Sequence, residues 1–405
     1  MGVELDWPLG RLPAYLIVDD GAPVYNLDRF EFPGEPHLER IPNAFVAAFV
    51  EAVVRRGVRG KFTVLPYPMG LGRIDQGLPG VAPRELDEFM TMVGRDIAPS
   101  FDITPEILTH LHAMDIDHGW APLPYDERRM IPHHSEESLA AYFEAALGIL
   151  ANVGLQARGL TSPGDFGVEA EEMYARAVAS ALGSRDGRTV PFYFLHVDRF
   201  SPVLVPRVWA FETGSTGNGA DRVSVQVPSG GGDAFWPTKY AQPATTDRLI
   251  DPSCETGRLV SLVMNRSPLG FHTHWQSLFS NGSREGLREL EVLLDRLDAG
   301  FAERIAWTRC SDLAASAAAR ASAVLSTRVE GSTVVIDIDS PYAAPDFTVR
   351  VTLPVHGRAV RVDGRGVLRA ASPSKERYWA EGGATVVAWD LRPGHHRVEM
   401  ELGQR

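Results

Sequence analysis

Along the first 323 residues, short apolar runs alternate with longer segments whose apolar positions recur every three to four residues. Runs of the first kind read as strands buried on both faces, and segments of the second as amphipathic helices. The sharpest run is Tyr15–Gly21, YLIVDDG, in which apolar and aromatic residues stop at Asp19, Asp20 and Gly21. Pro42 then opens a helix with Phe45, Ala48, Phe49, Ala52 and Val53 on one face, and Gly57 ends it. GKFTVLPYP supplies a second strand over Lys61–Leu65, and strand, helix, strand implies parallel pairing. Residues 70–103 are interrupted by Gly and Pro, with one helical piece near 83–95.

Thr104-Pro105-Glu106 reads as a helix start, which makes His110 and His112 ordinary residues of a helix carrying ILTHLHA. MDIDHGW follows as a short strand ending at His118. Ser135 caps a strongly periodic helix whose buried stripe is Leu139, Phe143, Ala146, Leu147 and Leu150. LTSPGDFG reads as a strand end with a tight turn, and a helix over 169–182 comes next. VPFYFLHV, VLVPRVWAF and LVSLVMN are strand-like, and LGFHTHW follows almost at once. REGLRELEVLLDRLDAG is an amphipathic helix, and ERIAWTRCSDLA gives a last strand and a helix start. Residues 212–256, rich in Gly, Ser, Thr and Pro and containing GGGDAFWPTKY, read as a long loop insertion. Trp236, Lys239 and Tyr240 either cover a substrate there or pin the loop to the body.

From about residue 325 the period changes to two. In DFTVRVTLP, Phe347, Val349, Val351 and Leu353 share one face, with Thr348, Arg350 and Thr352 opposite. Short alternating strands indicate a small antiparallel β-sandwich over 324–405, behind an α/β domain over 1–323.

Composition narrows the partners. The chain has 405 residues, 44% hydrophobic and 23% charged, and a formal charge of -12, which argues against nucleic acid or an anionic membrane as partner. No signal peptide and no apolar run long enough to span a bilayer are visible, so a cytoplasmic setting is expected. Cys254 and Cys310, the only cysteines, make no zinc-site spacing and suit a reducing compartment. The oligomeric state is not legible.

Three strand ends carry candidate chemistry: Asp19 with Asp20, then His118, then His272 with His274. HTH spacing on an extended segment puts both imidazoles on one face, about 7 Å apart. Asp and His at separate strand ends form a donor set that suits Zn²⁺ or another divalent transition ion, whose bound water ionises near neutrality. Alternatively one imidazole binds metal while the other moves protons.

The order and spacing of these segments resemble the polysaccharide deacetylase (NodB-homology) superfamily over roughly residues 12–318. YLIVDDG resembles its first motif, KFTVLPYP its second strand, and MDIDHG the strand that gives a metal histidine. PHHSEESLAAYFEAALGILANVGLQARGLTSPGDFG resembles the second-histidine region and third motif, GFHTHW the late histidine motif, and RIAWTRCSDLA the closing strand and helix. The resemblance implies a distorted (β/α) barrel and a metal-dependent hydrolase acting on a carbohydrate, with a divalent metal ion, zinc being the one expected. Carried over by position, Asp19 is the base, and Asp20, His118 and His134 (or His133) are metal ligands. His274 or His272 is then the acid. Asp165 stands where the family's third motif has an arginine. Trp120, Trp236, Lys239, Tyr240 and Trp275 are the substrate-binding candidates. The family's ligand histidines lie a few residues apart, whereas His118 and His134 are separated by an insertion. The added aromatic loop and C-terminal β-domain are also features of glycoside hydrolases on this barrel type, in which Asp19, Asp20 or Asp165 would serve as acid, base or nucleophile. A non-catalytic carbohydrate-binding protein on the same barrel is the third reading.

Overall fold

Two strands open the chain, β1 (Gly2–Asp6) and β2 (Leu12–Asp19), and they belong to different sheets. The computed structural model describes residues 2–183, 189–211, 222–353 and 357–403. β2 is buried at every position, as an apolar run without alternation requires. After it come α1 (Asp28–Glu31), α2 (Asn43–Ala52), β3 (Gly60–Thr63), α3 (Pro83–Met92) and β4 (Phe101–Thr104). β2, β3 and β4 pair in parallel, with Val18 opposite Phe62 and Thr63 opposite Thr104.

The segment after β4 departs from the sequence reading. Residues 105–111 are not helical; Ile107 and His110 take positive φ, +47° and +70°. β5 (His112–Asp115) and β6 (Ala121–Asp126) then form an antiparallel hairpin. The Thr-Pro-Glu start signal loses to tertiary contacts: the buried Glu127 carboxylate accepts the Thr109 and His110 N–H groups at 2.9 and 2.8 Å. The next helix obeys its sequence. α4 (Glu136–Asn152) begins with a capping box in which Ser135 and Ser138 exchange hydrogen bonds.

The remaining barrel elements are β7 (Gly159–Thr161), α5 (Glu171–Leu182), β8 (Phe192–Phe194), β9 (Arg207–Phe211), β10 (Arg222–Gln226), α6 (Arg258–Met264) and β11 (Leu269–His274). α7 (Trp275–Phe279), α8 (Glu285–Phe301), β12 (Ile305–Trp307) and α9 (Cys310–Ser322) complete it. β10 falls inside the stretch expected to be loop, while 212–221 lie outside the described residues. LVSLVMN is helical rather than extended, because its buried Leu259, Val260, Leu262 and Val263 follow helical spacing.

β11, β2, β3 and β4 form one parallel sheet, and β7, β8 and β10 another, with β9 antiparallel at its edge. Parallel bridges Ile103–Ala157 and Glu106–Thr161 join β4 to β7. On the other side the Gly230 N–H donates to Gly270 O at 2.6 Å. The result is a nearly closed α/β ring of parallel strands, whose carboxyl ends share one mouth.

The C-terminal strands are β13 (Val324–Glu330), β14 (Thr333–Ser340), β15 (Ala344–Thr352), β16 (Gly357–Val362), β17 (Arg365–Arg369), β18 (Arg377–Glu381), β19 (Ala384–Leu391) and β20 (Gly394–Leu402). With β1 they make one continuous nine-stranded path, in which β17 pairs with β16 on one side and β18 on the other. Its halves share one apolar core containing Val334, Val349, Val387 and Val398, and that core runs on into Tyr15, Ile17 and Leu313. β1 pairs antiparallel with β15, from Gly2–Thr352 to Asp6–Thr348, so the chain's first strand completes its last unit.

Candidate active site

Asp19 and Asp20 leave β2 toward different surroundings. Alternation along the strand puts Asp19 on the face of Tyr15 and Ile17, inside the ring. There Lys61, wholly buried on β3, makes a short ion pair with Asp19 Oδ1. The same ammonium donates to Thr63 Oγ1 at 3.1 Å and to Thr161 Oγ1. Asp20 breaks the alternation with φ of +62°. A non-glycine residue held in this region costs energy, and such strain gathers at functional sites. Gly21 lets the turn pass: a Cβ there would stand 1.9 Å from Thr63 O.

Turned this way, Asp20 enters a buried cluster with Glu106 and His110. His110 Nε2 lies 3.0 Å from Asp20 Oδ1 and 3.2 Å from Glu106 Oε1, while its Nδ1 lies 3.0 Å from Glu31 Oε1. Glu106 Oε2 accepts the Asp20 N–H at 3.0 Å, and Gln276 Nε2 donates to Asp20 Oδ2 at 3.1 Å. Despite these distances, Asp20 Oδ1 and His110 Nδ1 make no well-directed hydrogen bond among the described residues. Burial raises Glu106 to about 7, helped by the Asp20 charge. For His110 burial works against the charged ring, but Asp20 and Glu106 outweigh it and hold the proton on well above the usual range. Burial would raise Asp20 too, yet His110 and His274 keep it far below the ordinary carboxylate range. Below the cluster, Glu127 also accepts the Tyr142 hydroxyl at 2.8 Å.

Opposite stand the two histidines of β11, with ring centroids 5.4 Å apart. His272 Nδ1 is 2.9 Å from Gly231 O, so it carries the proton and leaves Nε2 bare. Burial, then the neighbouring His274 charge, lowers the pKa of His272 and favours this neutral form. His274 Nδ1 is 2.8 Å from Asp233 Oδ2. Burial disfavours its cation, but Asp20, Asp233 and Asp19 prevail and hold it up at about 9. One strand thus presents a neutral and a cationic imidazole side by side. Asp19, His272 and His274 form a second group of close donor atoms beside the first.

No family profile matches the chain, and no curated protein matches it. Among solved structures, one provisionally described as a glycoside hydrolase/deacetylase from Parabacteroides distasonis overlaps 84% of this chain and 81% of its own, at 7% identity and a TM-score of 0.38. An endo-β1,6-glucanase overlaps 99% and 94% at 9% identity and TM-score 0.35. A family 30 xylanase from Clostridium acetobutylicum overlaps 99% and 97% at 10% identity and TM-score 0.31. All three are described as carbohydrate-active hydrolases, but overlaps this loose decide neither fold family nor activity.

The structure brings together Asp19, Asp20, His272 and His274, and it does not bring His118 or His134 to them. His118 is in the turn of the β5–β6 hairpin, its side chain 82% exposed and bound to Asp115 at 3.0 Å. His134 bonds Ser138 Oγ at 3.1 Å ahead of α4, and His133 stacks on Tyr125. Asp165 is exposed on the loop after β7. Trp275 is fully buried among Phe45, Phe49 and Phe62, a core residue rather than a substrate contact. Lys239 is buried against Asp28, 2.6 Å away. Trp120 packs on Tyr67 with Arg73 over its ring, while Trp236 meets His274 edge-on at 4.7 Å. Sequence reading missed Lys61, Glu106, His110 and Asp233. A lysine inside the apolar run GKFTV was the available signal for the first, since buried lysines are nearly always paired.

Proposed function

We propose that the chain is a metal-dependent hydrolase that removes an acyl group from a carbohydrate. The observation that carries this reading is the division between Asp19 and Asp20: one carboxylate bound to an internal ammonium, the other in a buried Asp–Glu–His donor set.

Asp20, Glu106 and His110 would hold a divalent ion. Glu31 lies 3.0 Å from the far nitrogen of His110, the place of the outer carboxylate beside a metal-ligating histidine. The poorly directed Asp20 Oδ1 fits the same role, and a mixed oxygen and nitrogen set suits Zn²⁺ or a similar ion. Bound there, such an ion supplies a water that ionises near neutrality and polarises the acyl oxygen.

The remaining roles belong to the chain's own groups. Asp19, fixed by Lys61 and Thr63, takes the proton of the attacking water. His274, its Nδ1 tied to Asp233, returns a proton from Nε2 to the departing sugar oxygen or nitrogen. His272, neutral and anchored on Gly231, adds no second positive charge beside His274. The glycosidase alternative needs two carboxyl groups flanking an open bond, about 5 Å or more apart. Of its candidates, Asp19 is bound to Lys61, Asp20 is buried against His110, and Asp165 is exposed on the loop after β7, which supports the acyl reading.

Metal analysis of the purified protein, with acetate and reducing-end assays on acetylated xylo- and chito-oligosaccharides, tests this. One divalent ion per chain and chelator-sensitive acetate release are expected. Protein without stoichiometric metal whose turnover ignores chelator would sink the metal role, and release of reducing ends without acetate would favour glycosidic cleavage.

A further inference from the structure

The glycine-rich GGGD segment (Gly230–Asp233) packs along the HTH end of β11 as one unit with it. Gly230 has no room for a side chain: a Cβ would stand 2.7 Å from Leu262 and 2.8 Å from Leu204. The close fit brings Gly231 O to 2.9 Å from His272 Nδ1, and Asp233 Oδ2 to 2.8 Å from His274 Nδ1. Asp233 is held in turn, since the Phe235 N–H and the Thr273 hydroxyl donate to its Oδ1 at 2.8 and 3.1 Å. A metal-ligating histidine characteristically gives its second ring N–H to a backbone carbonyl or a carboxylate, which fixes the ring and frees the other nitrogen. Here one strand carries one of each kind. Neither Nε2 meets a hydrogen-bond partner among the described residues, and the His274 side chain is 21% exposed.

Asp19 completes the set. Lys61 and Thr63 both donate to its Oδ1, and its Oδ2 accepts no hydrogen bond among the described residues. One donor atom from each of Asp19, His272 and His274 lies within 4.8 Å of the other two. Two imidazoles and one carboxylate suit Zn²⁺ or Co²⁺ rather than Mg²⁺, which prefers oxygen ligands. The charge balance favours a cation as well. Carboxyl groups of Asp19, Asp20, Glu31, Glu106 and Asp233 crowd this end of the ring, and the fixed cations that touch them are Lys61 and Arg128. The rest of the balance is ring protons, which a divalent ion displaces when it binds.

We infer that Asp19, His272 and His274 form a second divalent-ion site, separate from Asp20, Glu106 and His110, which fills when Zn²⁺ is in excess and arrests the reaction. The entering ion takes Asp19 Oδ2 and both Nε2 atoms, and His274 gives up its ring proton to solvent. Base and acid are then both engaged, so one ion activates the chain and the next inhibits it. The arrest rests on the reaction proposed above; the site itself stands on its own geometry.

Equilibrium dialysis of the full chain against a Zn²⁺ series, read by elemental analysis and calorimetry, tests it. Wild-type protein should take up a first ion tightly and a second in excess Zn²⁺. Acetate release from acetylated chito-oligosaccharides should rise with the first ion and fall with the second, and excess Mg²⁺ should not produce the fall. His272→Gln should hold one ion in the same excess, and Asp233→Asn should weaken the second ion about tenfold or more while sparing the first. Glu106→Gln should do the converse, losing the first ion and keeping the second. Circular dichroism checks each fold, and His274→Gln decides the matter should His272→Gln unfold. No second ion, or a second ion that survives both histidine variants, overturns the site and leaves the proposed reaction standing. Full turnover with both ions bound overturns the arrest. A single ion that is lost in His272→Gln and kept in Glu106→Gln supports this site and overturns the Asp20 ligand set, and no bound ion at all overturns both.

Discussion

Asp19 and Asp20 are chain neighbours with opposite chemistry. Asp19 stays on the strand's inner face and is answered by a single buried lysine. Asp20, turned by a positive φ, joins Glu106 and Glu31 around one imidazole. The two groups lie beside each other, and His274 feels both carboxylates. A carboxylate's function is set by what balances its charge: Asp19's partner is a fixed ammonium, while Asp20's is a ring proton that an ion can replace.

That contrast can be broken from either side. The largest effect is expected from His110→Ala, which leaves Asp20, Glu106 and Glu31 without their shared cation. Removing one member of a buried ion pair costs about 3–5 kcal/mol, and denaturant unfolding in metal-free buffer should read a loss of that size. A loss below about 1 kcal/mol would mean the cluster is better solvated than its burial implies.

His274→Gln tests the other side. It should lower turnover about 10²–10⁴-fold while leaving the first bound metal ion unchanged, and it should lower unfolding free energy because buried Asp233 loses its cationic partner. Loss of that ion in this variant would move His274 into its ligand set and erase the division of roles.

The pH dependence sharpens the same point. With its folded pKa held at about 9, His274 should give kcat/KM an alkaline limb there. Asp233→Asn should shift that limb downward, and an unmoved limb would assign it to another group. The linkage runs the same way in stability. Because the folded pKa lies above an unfolded value of about 6.5, the Asp233–His274 contribution is complete below that pH and disappears as pH rises through about 9.

The smallest effect belongs to Tyr142→Phe. It removes one of the donors that hold Glu127 in place, and calorimetry should show a loss of about 1 kcal/mol with kcat unaltered.

The parts of this arrangement legible in the sequence were those set by local pattern. YLIVDDG and HTH announced their strands, and Ser135 announced its helix, because burial and capping leave one-dimensional traces. His110 left none. Its backbone is held outside the helical region by Glu127, which lies beyond an intervening hairpin, so the helix signal at Thr104-Pro105 outweighed a contact no local window contains. MDIDHG misled for a related reason: its strand belongs to a hairpin rather than to the ring and ends at Asp115, leaving His118 in the turn, and periodicity does not distinguish the two. Trp275 directly follows HTH, but α7 begins there and turns its ring into the core.

The pairing of β1 with β15 has a consequence for the order of assembly. The strand immediately ahead of β2 finds its partner only among residues 344–352, far downstream in the sequence. Most of the ring can collapse earlier, since its parallel neighbours all lie before residue 308. The segment leading into Asp19 and Asp20, however, acquires its final tether only when the C-terminal unit arrives. A truncated or stalled product would therefore carry both aspartates on a strand with one loose end, exposing an unpaired edge to the associations that partly folded chains undergo.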